Sequence, residues 1–406
     1  MSKRIVLVGR LLMLAAFAAG GTTPVVAQEP DSTTRQAVIE QEQAEKEKTL
    51  HPYVPSKGER LIDRAESYLV DGTLTWHPWF ISAYSGGGFT LGLGHVTHVS
   101  AYNTLDIRGS YTITNYKRVE AEFVAPRLFQ RRGHLSVLGG WREATEVGFY
   151  GLGMDTSSND RANYLFKQPY GSALLTVFPT RRMFLLQGGA EYSRWSQEPG
   201  EGTFPSVEEI FTPQTLPGLG AKVTYLHTQG TVGFDWRTSP GYTRRGGYYG
   251  VTVHDYHDND DRFGFQQVNY EAIQHLPILR ETWVIALRGL AQTTFNKDNQ
   301  DVPFFMLPSV GGGSSLRGFS SWRFRDRHSL LLQAEWRISV NRFVDTAVFY
   351  DAGKVASRTS DLDFNHLKSD YGFGVRFHGP FATPLRVEVA RSNEGTRLVF
   401  SASPVF

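Results

Sequence analysis

The chain has 406 residues, a net charge of +2, 13% aromatic residues, 41 glycines and no cysteine. Without cysteine there are no disulfides, thiolate metal sites, cysteine nucleophile or lipidated N-terminal cysteine, and a near-neutral balance without a long basic run gives no nucleic-acid partner. Glycine this frequent, without a collagen period, suits tight turns and crowded strands.

Residues 1–27 read as a secretory signal peptide. Lys3 and Arg4 form its positive start, an apolar stretch runs from Ile5 to Ala19 with Arg10 inside it, and Val25-Val26-Ala27 offers a small-residue cleavage site before Gln28. As a membrane anchor the uninterrupted part, Leu11 to Gly20, is short against the ~20 residues of a spanning helix. No later segment is an uncharged apolar run of that length. The exported chain is therefore expected to be soluble in the periplasm or folded as an outer-membrane barrel. Residues 28–75 are expected to be a periplasmic segment, helical or disordered. "TTRQAVIEQEQAEKEKTL" is charged and free of Gly and Pro, and "GERLIDRAESYL" places Leu61, Ile62, Ala65 and Leu69 at helical spacing.

From Trp76 the pattern changes to period two. In "LLLQAEWRISV", Leu330, Leu332, Ala334, Trp336 and Ile338 point one way, and Leu331, Gln333, Glu335, Arg337 and Ser339 the other. "YGFGVRF", "LRVEVA" and "TRLVFSASPVF" repeat this, the last with Leu398, Phe400 and Phe406 assigned to one face. Full charges lie opposite large aromatics in segments of roughly ten residues, as in strands crossing a bilayer at a tilt. Aromatics at segment ends, Trp76, Trp79 and Phe80 or Tyr248 and Tyr249, read as an interfacial girdle. A sheet in lipid must satisfy every backbone N–H and C=O, so it must close. The fold expected for residues 76–406 is all-β: a transmembrane antiparallel barrel of about sixteen strands.

The long loop around "VPFFMLPSVGGGSSLRGFSSWRFR", residues 302–325, resembles the loop of BamA-type outer-membrane proteins, the bacterial surface antigen family. "LLLQAEWRI", "FVDTAVFYDAGKV" and "GFGVRFHGPFATPLRVEVA" resemble the strand motifs that follow it, and "EVGFYGLGMDTSSNDRANY" and "GYYGVTVHDYHDNDDRFGF" are similar to upstream segments. The resemblance implies that the loop folds into the lumen. It makes Arg317 the loop-tip arginine, flanked by Gly318 and Phe319, with Glu335 and Asp351 as its partners on the wall. Alternation independently puts Glu335 on a polar face, and Asp351 on the face of Asp345. A guanidinium is a planar fork that two carboxylates can share. The chain departs from the family in the segment before the barrel, which is too short and lacks the strand pattern for a POTRA domain. This resembles a barrel-only subset.

Other constellations carry less. His95 and His98 would face opposite sides of a strand, which argues against a shared metal. "HDYHDNDD", with His254, Asp255, His257, Asp258, Asp260 and Asp261, lacks the calcium-loop glycine and reads as a solvated turn rather than a calcium or lipopolysaccharide-bridging site. Ser314 and Ser315 do not form a nucleophile elbow. No cofactor and no enzymatic activity are expected. The expected role is protein insertion or translocation at the outer membrane, the alternative a passive pore or structural barrel. Expected partners are outer-membrane lipid and lipopolysaccharide, the barrel assembly machinery during biogenesis, and a protein client or POTRA-bearing partner. Leu398, Phe400 and Phe406 are the expected C-terminal assembly signal, with Pro404 a departure from its usual form.

Overall fold

The structure, a computed structural model, describes residues 75–180, 183–380, 382–402 and 404–406, together with Glu42 and Glu45. Residues 1–61 and 62–406 form two compact units. In the first, Glu42 and Glu45 are helical. The expected signal peptide and the remainder of the expected segment up to Leu74 lie outside the described residues.

Among its described residues the second unit has eighteen strands. They are β1 (Trp76–Pro78), β2 (Thr90–His98), β3 (Thr104–Thr112), β4 (Lys117–Arg127), β5 (Gly133–Phe149), β6 (Ala162–Val177), β7 (Phe184–Pro199), β8 (Lys222–Asp235) and β9 (Gly246–Asp258). After them come β10 (Phe265–Leu279), β11 (Trp283–Asn296), β12 (Ser309–Val310), β13 (Phe324–Arg325), β14 (His328–Ser339), β15 (Val344–Ala356), β16 (Lys368–Phe377), β17 (Leu385–Ser392) and β18 (Gly395–Ser401). Sixteen of these form one antiparallel sheet in sequence order, from which only β12 and β13 are missing. Those two make a small ribbon inside the long loop between β11 and β14.

Burial follows the alternation read from the sequence. On β14, Leu331, Gln333, Glu335 and Arg337 are buried, while Trp336 between them is exposed. On β15, Asp345, Ala347, Phe349 and Asp351 are buried, and Val348 and Tyr350 are exposed. A single sheet with a buried charged face and an exposed apolar face is inverted relative to a soluble protein. It fits a wall with lipid outside and a polar interior. The long loop explains how the sheet curls. Arg325 donates to the hydroxyl of Tyr164 on β6 (3.2 Å), while Arg317, eight residues earlier, is bonded to β14 and β15. One loop touches both halves of the sheet, so the sheet wraps around it as a barrel.

At the long-loop end the barrel is filled by rings. Phe304 lies edge-on to Phe149 (5.1 Å) and Tyr164 (5.0 Å), and Phe305 packs on Phe166 (5.1 Å). These rings are buried, and the chain between β7 and β8 covers them through Val207, Phe211 and Leu216.

Two parts of the girdle reading need correction. Trp79 is only 7% exposed. The chain turns inward after β1, and the indole lies between the guanidiniums of Arg108 (5.1 Å) and Arg118 (5.2 Å). Cation–π contact in the lumen outweighs a place at the lipid interface. Tyr248 also faces inward, under Arg237 (5.2 Å), whereas Trp76 and Tyr249 are exposed as expected.

Candidate functional site: the lumen loop and its wall

Loop residues 311–319 turn sharply and lie against β14–β18. Gly311 (φ 123°) and Gly312 (φ 105°) occupy the left-handed region that side chains avoid. Gly318 has a different reason. A Cβ there would lie 2.6 Å from the Cβ of Asp370 and 3.0 Å from that of Ser392. Hydrogen bonds from the wall satisfy the backbone of this tip. Arg386 donates to the carbonyl of Gly313 (3.1 Å), Gln333 to that of Ser315 (2.9 Å) and Ser392 to that of Gly318 (2.8 Å).

Arg317 has no exposed surface. Its Nε and Nη2 donate to the two oxygens of Asp351 at 2.6 and 2.7 Å. Its Nη1 donates to Glu335 at 2.7 Å and to Glu388 at 3.2 Å. The guanidinium carbon lies 3.4 Å from the centroid of Phe349. Burial by itself would pull the arginine pKa down, but the charges of Glu335 and Asp351 more than reverse this and hold it above the ordinary value. Phe319, also buried, packs edge-on against Phe324 (5.3 Å).

Of the five residues expected here, Arg317 bonds Glu335 and Asp351, Gly318 lies against Asp370 and Ser392, and Phe319 packs on Phe324. Reasoning missed the rest of the cluster. Glu335 also accepts from Arg376 (2.9 and 2.5 Å) and Arg337 (2.8 Å). Glu388 also accepts from Arg376 (3.0 Å) and Arg386 (2.5 Å). The cluster therefore joins the guanidiniums of Arg317, Arg337, Arg376 and Arg386 to the carboxylates of Glu335, Asp351 and Glu388. Asp370, opposite Asp351 in the ladder and 1% exposed, adds a fourth carboxyl beneath Gly318. The signal was present, since all three wall arginines and Glu388 fall on polar faces. Alternation does not say which of those faces meet.

Two further arginines hold the base of the loop. Arg323 donates to Glu394 (2.9 Å) and to the hydroxyl and carbonyl of Thr156 (2.7 and 2.6 Å). Arg325 donates to the carbonyl of Phe304 (2.8 Å). The tip is thus one part of a loop fixed at several points.

Behind the tip lies a seam. β1 pairs with β2 and β18 with β17, and among the described residues no ladder joins β1 to β18. Beside it, a cleft of about 550 Å³ lies between β18 and the β1–β2 connection, lined by Leu398 and Phe400 of the first and Ile81 and Phe89 of the second, with Gly313, Arg317 and Phe319 at its back. Inside, Trp322 of the loop donates to the carbonyl of Ser85 in the β1–β2 connection (2.9 Å).

Residues 101–403 match the Omp85 superfamily domain. The chain belongs to the Omp85 superfamily. This agrees with the BamA-type resemblance carried by the loop and strand motifs. This Omp85 barrel is similar in structure to BamA from Haemophilus ducreyi lacking POTRA domains 1–3, with 17% identity and a TM-score of 0.57 over 80% of this chain and 67% of that one. It is also similar to CdiB from Escherichia coli, with 12% identity and a TM-score of 0.53 over 79% of this chain and 57% of that one. At these identities the likeness is one of fold. No curated protein matches the sequence.

The C-terminal residues divide. Leu398 and Phe400 are exposed on the outer face of β18. Phe406 does not share that face. β18 ends at Ser401, and the ring of Phe406 lies under Arg337 (5.3 Å) and beside His275 (6.1 Å), both inward-facing side chains of this Omp85 barrel. Past Ser401 the alternation of the ladder no longer dictates which way a side chain points.

Proposed function

We propose that this outer-membrane barrel inserts or translocates protein without enzymatic chemistry, working at the seam between β1 and β18 with the Arg317-held loop as its backing. One observation carries the reading: the loop tip lies at the back of a cleft between the β1–β2 connection and β18, whose edge no ladder joins to β1 among the described residues. Unpaired backbone groups in hydrocarbon each cost several kcal/mol, roughly, so such an edge favours pairing with an added strand. An unfolded protein arriving at the membrane supplies one. The passive-pore alternative is weaker, because loop 297–327 and the aromatic core occupy the lumen. On this reading a POTRA-bearing partner would capture the client, and the outward Leu398 and Phe400 would serve the barrel assembly machinery as a recognition signal.

The test uses the full chain in phospholipid vesicles with a urea-unfolded outer-membrane barrel added as client. Folding of the client, read as a heat-modifiable gel shift, should be faster than in empty vesicles. Joining the two sides of the cleft with Ile81→Cys and Phe400→Cys and a bismaleimide should abolish the gain. Unchanged client folding together with steady ion conductance would favour the pore.

A further inference from the structure

Antiparallel neighbours alternate ends, so the described parts of the connections 99–103, 128–132, 178–183, 236–245, 280–282, 340–343 and 378–384 lie together at one end of the barrel. The opposite end carries the longer connections, including 150–161, 200–221 and 297–327. The two ends differ sharply in charge. Arg127, Arg131, Arg132, Arg245, Arg280 and Arg342 are exposed at or beside the short turns. Among the described residues of those turns, the one exposed carboxylate is Glu281, next to Arg280. At the long-loop end the exposed carboxylates Asp155, Asp160, Glu209, Asp260, Asp261 and Asp298 outnumber the exposed arginines Arg262, Arg327 and Arg358, and Arg262 is paired with Asp260.

The arginines come with apolar companions. Arg127 stacks on the ring of Tyr102 (3.7 Å). Phe129 lies between Arg127 and Arg131 in sequence, Leu279 precedes Arg280, and Val340 precedes Arg342, all exposed. Trp236 and Trp283 are exposed at the same end. A cation beside an exposed apolar side chain, repeated from turn to turn at the rim of a lipid-facing wall, belongs at a headgroup boundary. The apolar group enters the acyl region while the guanidinium meets phosphate. Arginine suits phosphate better than lysine would, because its fork binds two oxygens at once.

We propose that this turn-end ring binds the phosphates of anionic glycerophospholipids, recruiting them to the barrel's first lipid shell and setting the depth at which its strands lie. The occupant is a glycerophospholipid of the leaflet that the short turns face. The acidic long-loop end is unsuited to a bare phosphate.

The test refolds the full chain into phosphatidylcholine vesicles containing either brominated phosphatidylglycerol or brominated phosphatidylcholine, and reads tryptophan quenching, to which Trp236 and Trp283 contribute. The phosphatidylglycerol form should be favoured at low salt by at least about fivefold, the factor for one arginine at an anionic surface. That preference should fall towards one in high salt, which screens exposed charges. The variant Arg131→Gln/Arg132→Gln/Arg280→Gln/Arg342→Gln should lose most of it while remaining heat-modifiable. If that variant does not fold, Arg131→Gln/Arg132→Gln should still lower it measurably. Equal quenching by the two lipids in the unaltered protein would overturn the proposal, as would an unchanged preference in a folded variant or displacement of phosphatidylglycerol by equimolar lipopolysaccharide.

Discussion

The wall from β14 to β18 and the wall from β8 to β11 both face the lumen through every second residue, but they fill those positions differently. The first carries Glu335, Arg337, Asp351, Arg376, Arg386 and Glu388, all buried. The second carries two ion pairs, Arg237 with Asp235 (2.8 Å) and Arg288 with Glu271 (2.8 Å), and between them a relay of rings and amides. His227 bonds His254 (3.0 Å), His254 bonds Asn269 (3.1 Å), Gln292 donates to Asn269 (3.2 Å), and Ser329 on β14 donates to Gln292 (3.2 Å). The bond between the two histidines needs a lone pair on one ring, so they are not both protonated. The relay satisfies itself from strand to strand. The charged wall does not, because Arg337, Arg376 and Arg386 are bonded to Glu335 and Glu388 while Asp351 accepts from the amide of Gln333, and the loop supplies its guanidinium through Arg317. Charge is concentrated where a separate segment has to be recognised.

Substitutions can break this contrast. Glu335→Gln should have the largest effect. It leaves Arg317, Arg337 and Arg376 facing a neutral amide, and losing one partner of a buried ion cluster costs roughly 3–5 kcal/mol. The midpoint of the heat-modifiable transition should fall clearly, and an unchanged midpoint would mean the cluster is not a connected unit. Gly318→Val should act next, since its side chain has no room against Asp370 and Ser392. Overpacking of this kind costs roughly 1–3 kcal/mol. It should lift the tip, seen as faster proteolysis within the loop, while the sheet stays intact. Asn269→Ala sharpens the comparison from the other wall. It breaks two neutral hydrogen bonds worth about 1 kcal/mol each. A small fall in midpoint is expected, with no change in loop proteolysis; a loop response would show that the two walls are not independent.

Much of this was legible in the sequence for a simple physical reason. A strand has a side-chain period of two, so the faces of β14 to β18 can be assigned without knowing their neighbours. Arg317, Glu335 and Asp351 could be joined because a family motif supplied the missing long-range information. Glu388, Arg376 and Arg386 could not, because their meeting depends on the curl of the sheet and the seating of the loop. Trp79 was misread because an aromatic residue at a strand end resembles a girdle member until the two arginines beside it are seen. Phe406 was misread because alternation was carried past the end of β18. The wider grip on the loop by Arg323 and Arg325 also changes what a tip mutation should do: it frees residues around 312–319, not the whole loop.

On the proposed reading Arg317 holds that tip in the lumen. The chain has no cysteine, so one placed at the fully buried Leu316 reports on the tip alone. Maleimide labelling of Leu316→Cys in vesicles should be slow. Adding Arg317→Ala should speed it at least about tenfold, the factor given by about 1.4 kcal/mol of lost local stability, with Arg317→Lys in between and the barrel still heat-modifiable. Equal labelling rates with and without Arg317 would contradict the account.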